Sequence, residues 1–154
     1  GIGTYLMYSV LDAYLGLPAK DWSRIGLESH RRFQDYKASR IQERLDNRQT
    51  GTQPSLRLPD YAGTYHDPMY GDIVVKMEGD RLRLTFPEAP ALNATLTHWH
   101  YDTFEINWDE VHAWFDFGTV NFNLDHSGAP VELRFDVPND DIFFHEIQAV
   151  RTAD

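Results

Sequence analysis

Three side chains in the segment LTHWHYDTFEINW (96–108) have the types and spacing of a metal or acid–base site: His98, His100 and Asp102 stand at alternate positions. In a strand, alternate side chains leave the same face, so these three would project together. Two imidazoles and a carboxylate can ligate a divalent metal. H-x-H alone is a short motif, however, and its further ligands would have to come from His66, His112 or His145, which sequence cannot place. The competing reading is a barrel lining, inside or outside, in which His98 and His100 hydrogen-bond to acids on neighbouring strands and Trp99 and Tyr101 take the other face. On that reading no cofactor is called for and no stoichiometric zinc is expected.

The remaining chemistry is limited by what the residues allow. There are no cysteines, which excludes disulfides, thiolate metal sites and cysteine nucleophiles. None of the six serines (Ser9, Ser23, Ser29, Ser39, Ser55, Ser127) has a lysine three positions on, so the Ser-x-x-Lys arrangement in which a lysine activates a serine is missing. G-x-S-x-G, H-E-x-x-H, the P-loop and G-x-G-x-x-G are missing too. Glu105, Asp109, Glu110 and Asp116 could form an acid–base pair on paper, but acids at turns and on solvated strand faces are the ordinary explanation. No residue is therefore assigned a catalytic role. Aromatic side chains crowd the second half, among them Trp99, Trp108, Trp114, Phe122 and Phe135. Such groups serve a ligand pocket or a small barrel core. The candidate lining residues are His98, His100, Tyr101, Asp102, Trp108 and Trp114.

These residues must be positioned by elements that the hydrophobic pattern reveals. Residues 4–15 place Tyr5, Tyr8, Leu11 and Leu15 at helical spacing, with Gly16 to end the helix and Pro18 beyond it. Asp21 offers an N-cap for a second helix through about Leu45. DNRQTGTQPS (46–55) reads as a linker. After it the apolar period changes from 3.6 to 2. DIVVKME turns at Gly79–Asp80 into RLRLTF, a hairpin signal. ATLTHWHY, TFEINW, HAWFDF, TVNFNLD, PVELRFDV and IFFHEIQAV come next, broken at Asp109–Glu110, Gly118, DHSG (125–128) and PNDD (138–141). With AGTY near the start, this predicts eight or nine short strands with no room for crossover helices, hence an antiparallel sheet. Closing it into an eight-stranded up-and-down barrel removes its edges, with a sandwich as the other architecture. The expected fold is mainly β, a lipocalin-like barrel preceded by two N-terminal helices.

A chain of 154 residues is long enough for one domain and an appendage. It begins at Gly1 rather than Met and reads as a piece of something longer, and GIGTYLMYSVLDAYLG lacks the basic lead of a signal peptide. No stretch reaches the roughly 18 apolar residues of a membrane span. Residues 20–50 hold eight Lys/Arg against five acids, whereas residues 51–154 hold six against 18. An acidic body repels phosphate, so nucleic acid and anionic membrane are poor partners. The basic segment is expected to lie against the acidic body or a neighbour.

The segments LPDYAGTYHDPMYGDIVVKMEGDRLRLTF, LTHWHYDTFEINW and ELRFDV…FFHEI resemble a C-terminal domain of unknown function appended to β-lactamase-related serine hydrolases, the bacterial class C-like, penicillin-binding group. YSVLDAYLGLPAKDW resembles the last helix of the catalytic domain and the junction after it. The resemblance implies that residues 1–18 end an upstream catalytic domain, 19–55 connect, and 56–154 form the barrel. It further implies a periplasmic or extracellular parent acting on β-lactams, peptidoglycan peptides or small esters. The barrel would be a non-catalytic accessory domain that stabilises the hydrolase or shapes access to its active site, with the upstream domain as its partner. A lipocalin-like barrel binding its own small ligand, or a metal-dependent enzyme using the His98/His100 strand, are the alternatives. Residues 4–15 are apolar nearly all round, which makes a homodimer through that helix a further expectation.

Overall fold

The computed structural model describes residues 2–139 and 142–152; Gly1 and the Asp140–Asp141 half of the expected PNDD break lie outside the described residues. The chain divides into two compact units, Gly1–Glu43 and Arg44–Asp154.

The first unit is helical. Helix α1 (Ile2–Tyr14) stops where Gly16 takes a left-handed φ of 63° and the Leu17 amide reaches back to the Asp12 carbonyl at 2.9 Å. Helix α2 (Trp22–Asn47) starts at the expected cap, the Asp21 carboxylate accepting the Arg24 amide at 2.9 Å. The two helices are joined by the Trp22 indole donating to Asp12 at 2.7 Å and by Tyr8 against Trp22, ring centroids 4.9 Å apart. Gly26 permits their close approach, since a Cβ there would meet the Tyr5 ring at 2.6 Å.

The second unit is a closed antiparallel barrel of eight strands in sequence order, β1 Gly63–Asp67, β2 Gly71–Glu78, β3 Arg81–Thr85, β4 Ala94–His100, β5 Thr103–Trp108, β6 Thr119–Leu124, β7 Pro130–Asp136 and β8 Ala149–Arg151. It closes through Tyr65 opposite Arg151 and His66 opposite Val150. Alternation makes the core: Ile73 and Val75, Leu82 and Leu84, Phe104 and Ile106, Val120 and Phe122, Leu133 and Phe135 are all buried. The interior is filled by side chains. Tyr61 lies 4.9 Å from Phe122 and 5.3 Å from Phe104, the last two are 5.5 Å apart, and Tyr65 stands 6.0 Å from Phe122. Burial pushes the Tyr65 hydroxyl up to about 12 against a small opposing effect of Arg151.

HAWFDF (112–117) is not a strand. Strand alternation fails at Ala113 and Trp114, which are both exposed, and His112 stacks on Phe115 at 4.5 Å. Ring contacts three residues apart have displaced the extended form. IFFHEIQAV likewise contributes only Ala149 and Val150 to β8, because Phe144–Glu146 coils into a short 3₁₀ turn that buries Phe144 and Ile147.

The aromatic knot predicts a large cavity effect. Phe122→Ala should lower stability by about 3–5 kcal/mol, read as a fall in the urea midpoint with an unchanged slope. A loss below about 1 kcal/mol would mean the knot is not the centre of the core.

Candidate functional site

Strand β4 runs inward-facing at Ala94 and Leu96, with His98 paired to Phe104 on the same face, their rings 5.9 Å apart. The register then shifts between His98 and His100, and Tyr101 turns the chain with φ 45°, a left-handed value that a bulky residue holds only where its surroundings fix it. Tyr101 and Asp102 form the turn into β5. The three residues that alternation would align are therefore separated by a bulge and a turn. His98 Nε2–H donates to the Tyr101 carbonyl at 3.0 Å, closing the turn on itself. Among the described residues, no three His, Asp or Glu side chains come together as a metal site.

What the turn does hold is the connecting segment. Arg48 lays its guanidinium over the Trp99 ring, 4.3 Å from the centroid, and donates to the Trp99 carbonyl at 3.0 Å. Trp99 is buried between Arg48 and Phe117, whose ring is 5.4 Å away. The Gln49 amide donates to His100 Nδ1 at 3.1 Å, and the Tyr101 amide donates to the Thr52 hydroxyl at 3.0 Å. Asp102 accepts the Ser55 amide at 2.9 Å, the Ser55 hydroxyl at 2.8 Å and the hydroxyl of buried Tyr61. Tyr61 in turn accepts the Leu56 amide at 3.2 Å. Every residue from Trp99 to Asp102 thus receives a contact from residues 48–61. Arg44, one turn earlier on α2, adds a two-pronged ion pair to Asp136 at 2.6 and 2.7 Å.

The electrostatics arise from these contacts. Burial opposes charge on Asp102, but the Tyr61 hydroxyl, the Ser55 amide and hydroxyl, and nearby His98 outweigh it, holding the carboxyl below its usual range. Burial, Arg48 and His98 together push the His100 imidazole below its ordinary value of 6.5. That suits its task, because Nδ1 must be unprotonated to accept from Gln49. Tyr61 is raised by burial and then by its hydrogen bond to the Asp102 carboxylate.

Trp108 and Trp114 lie on the other side of the barrel. Trp108 packs against Phe115 at 5.0 Å and Phe144 at 5.8 Å, its indole nitrogen and the His112 Nε2 both buried with no hydrogen-bond partner among the described residues. Trp114 is exposed, as is Tyr101. Of the candidate residues, the structure brings together His98, His100, Tyr101 and Asp102, and separates the two tryptophans from them. Sequence reading missed Arg48, Thr52, Ser55 and Tyr61. The only available signal was the run of hydrogen-bonding side chains within a segment read as a plain linker.

Comparison with known proteins agrees with the barrel. The family described as "Domain of unknown function (DUF3471)" matches residues 47–151. No curated protein matches. Among solved structures, the crystal structure of the C-terminal domain of penicillin binding protein Rv0907 is similar, with a TM-score of 0.52 and 21% identity over 69% of this chain and 94% of that one.

The clasp can be tested by mutation and by pH. Asp102→Ala leaves the buried Tyr61 hydroxyl without an acceptor for its proton at a cost of about 1–3 kcal/mol, so tryptic cleavage after Arg48 should speed by roughly tenfold while the barrel stays folded. Cleavage at the wild-type rate would disprove the fastening. Because His100 and Asp102 both titrate lower folded than unfolded, the unfolded chain takes up protons first as pH falls. Their stabilisation is complete above the imidazole value of 6.5 and is lost on acidification, His100 before Asp102. His100→Gln keeps an acceptor without titrating and should flatten the fall in urea midpoint between about pH 6.5 and pH 5.

Proposed function

The chain belongs to the DUF3471 family, and we propose that it is the non-catalytic accessory barrel of a β-lactamase-related serine hydrolase, carried at the C-terminal side of the catalytic domain. The barrel stabilises that domain or shapes access to its active site. In this reading residues 1–18 end the catalytic domain, 19–55 connect, 56–154 are the barrel, and the parent works outside the cytoplasm, in the periplasm or beyond.

The observation that carries the reading is the surface of α1. Leu6, Met7, Val10, Leu11, Tyr14 and Leu15 are all exposed, Tyr14 at 87%. Apolar surface gains about 25 cal/mol per Å² when covered, and a patch this continuous is ordinarily an interface. An open groove of about 850 Å³ between α1 and α2, lined by Tyr5, Leu6, Leu27 and Phe33 among others, extends the same surface. A catalytic domain packed on this unit would cover both. The name of the similar solved structure, a C-terminal domain of a penicillin-binding protein, supports the same order of domains. The clasp at Trp99–Asp102 then has a purpose: it fixes where the connecting segment leaves the barrel.

Tested alone, the chain should hydrolyse neither a chromogenic cephalosporin nor a p-nitrophenyl ester above background. Turnover that survives purification and disappears in His100→Ala would overturn the proposal. Without a catalytic domain, α1 should pair with α1 of a second copy, burying both apolar faces at once. Light scattering should report a dimer that becomes a monomer when residues 1–16 are removed. A monomer at high micromolar concentration with α1 present would contradict the pairing.

A further inference from the structure

The barrel has two unlike ends. Tight turns at 79–80, 101–102 and 125–129 close one of them, where the connecting segment is fastened. In an up-and-down barrel the described residues of the other four connections, 68–70, 86–93, 109–118, and 137–139 with 142–148, gather at the opposite end. They are bound to one another. Buried Asp67 accepts the amides of Met69 at 2.8 Å and Tyr70 at 2.9 Å with one oxygen and that of Gln148 at 2.8 Å with the other. Phe115 meets Phe144 at 5.1 Å, and Trp108 contacts both rings.

On this joined base, large apolar side chains point outward from three different connections. Met69 is 79% exposed, Val111 101%, Trp114 59% and Phe143 51%. Side chains of this kind stay in water at a cost of about 25 cal/mol per Å². The charged Lys, Arg, Asp and Glu side chains within the connections themselves have one sign. None of the four connections contains Lys or Arg, while Glu88, Glu110, Asp116 and Glu146 are exposed within them. Asp109 is paired with Arg83 from β3, Asp136 at the edge of the last connection is paired with Arg44, and the exposed His145 ring contacts Phe143. Apolar anchors on connections that also carry exposed carboxylates match a ligand with the inverse pattern, because apolar contact supplies affinity and opposite charge supplies selection and encounter rate. Beneath the rim, the Trp108 indole N–H and His112 Nε2 are buried and, among the described residues, without a hydrogen-bond partner, while ring contacts join Trp108, His112 and Phe115.

We propose that this end of the barrel is a docking surface for a cationic, apolar-anchored peptide segment of a partner protein. It uses no residue of α1 and does not depend on the hydrolase reading. A phosphate-rich or anionic lipid partner is repelled by the same carboxylates.

The probe is a synthetic dodecapeptide, (Lys-Leu-Phe-Lys)3, titrated into the full chain by calorimetry and by NMR of the tryptophan indole signals, with (Glu-Leu-Phe-Glu)3 as its charge-reversed control. The cationic peptide should bind and shift the Trp114 indole signal, and the control should not bind. Trp114→Ser with Phe143→Ser leaves net charge unchanged and removes only exposed side chains, and should weaken binding about tenfold or more. Equal affinity in the double variant would reduce the effect to general attraction and overturn the proposal. Shifts centred on the tight-turn end, or protein sedimenting with phosphatidylcholine vesicles while ignoring the peptide, would overturn it as well.

Discussion

The Asp102 carboxylate, buried enough to need partners and charged enough to hold them, is the interaction on which the chain's layout depends. It gathers three donors from two places in the sequence: the amide and hydroxyl of Ser55, and the hydroxyl of Tyr61. Tyr61 is also the hub of the aromatic knot with Phe104 and Phe122. One carboxylate thereby couples the entry of the chain, the β4–β5 turn and the centre of the core. A charge placed this way is expensive to bury and more expensive to strand, so its three partners are held as a group. The left-handed backbone at Tyr101 and the bulge before it aim Asp102 away from the strand face and toward the incoming segment.

This arrangement explains why a segment that looks like catalytic chemistry performs mechanical work. Two imidazoles and a carboxylate stand close together, yet each is occupied: His98 with the Tyr101 carbonyl, His100 with the Gln49 amide, Asp102 with Ser55 and Tyr61. Arg48 over Trp99 completes the fastening from just beyond the end of α2. The result is a fixed point at which the connecting segment meets the barrel. The opposite end of the barrel carries outward-facing Met69, Val111, Trp114 and Phe143.

Much of the barrel was legible because its core is written in period two. Ile73 with Val75, Leu82 with Leu84, and Phe104 with Ile106 alternate cleanly, and Gly79–Asp80 marks its hairpin. Asp21 and Gly16 marked the helix ends for equally local reasons. HAWFDF misled because a short apolar run does not reveal its own period, and the decisive partner, Phe144, lies far along the chain. The clasp was illegible for the same reason on a larger scale. Ser55 and Asp102 are 47 residues apart, Gln49 and His100 are 51, and no periodicity records such pairings. The spacing of His98, His100 and Asp102 was real, but a one-residue bulge cancelled what it implied.

Amide hydrogen exchange read residue by residue tests the clasp most directly. The Gln49 and Ser55 amides, which donate to His100 and Asp102, should exchange at least about tenfold slower than an unstructured peptide, a protection of roughly 1.4 kcal/mol or more. Asp102→Asn should release Ser55 selectively while amides beside Phe122 keep their protection. Free-peptide exchange at Gln49 and Ser55 in the intact folded chain would mean that the HWHYD turn fastens nothing.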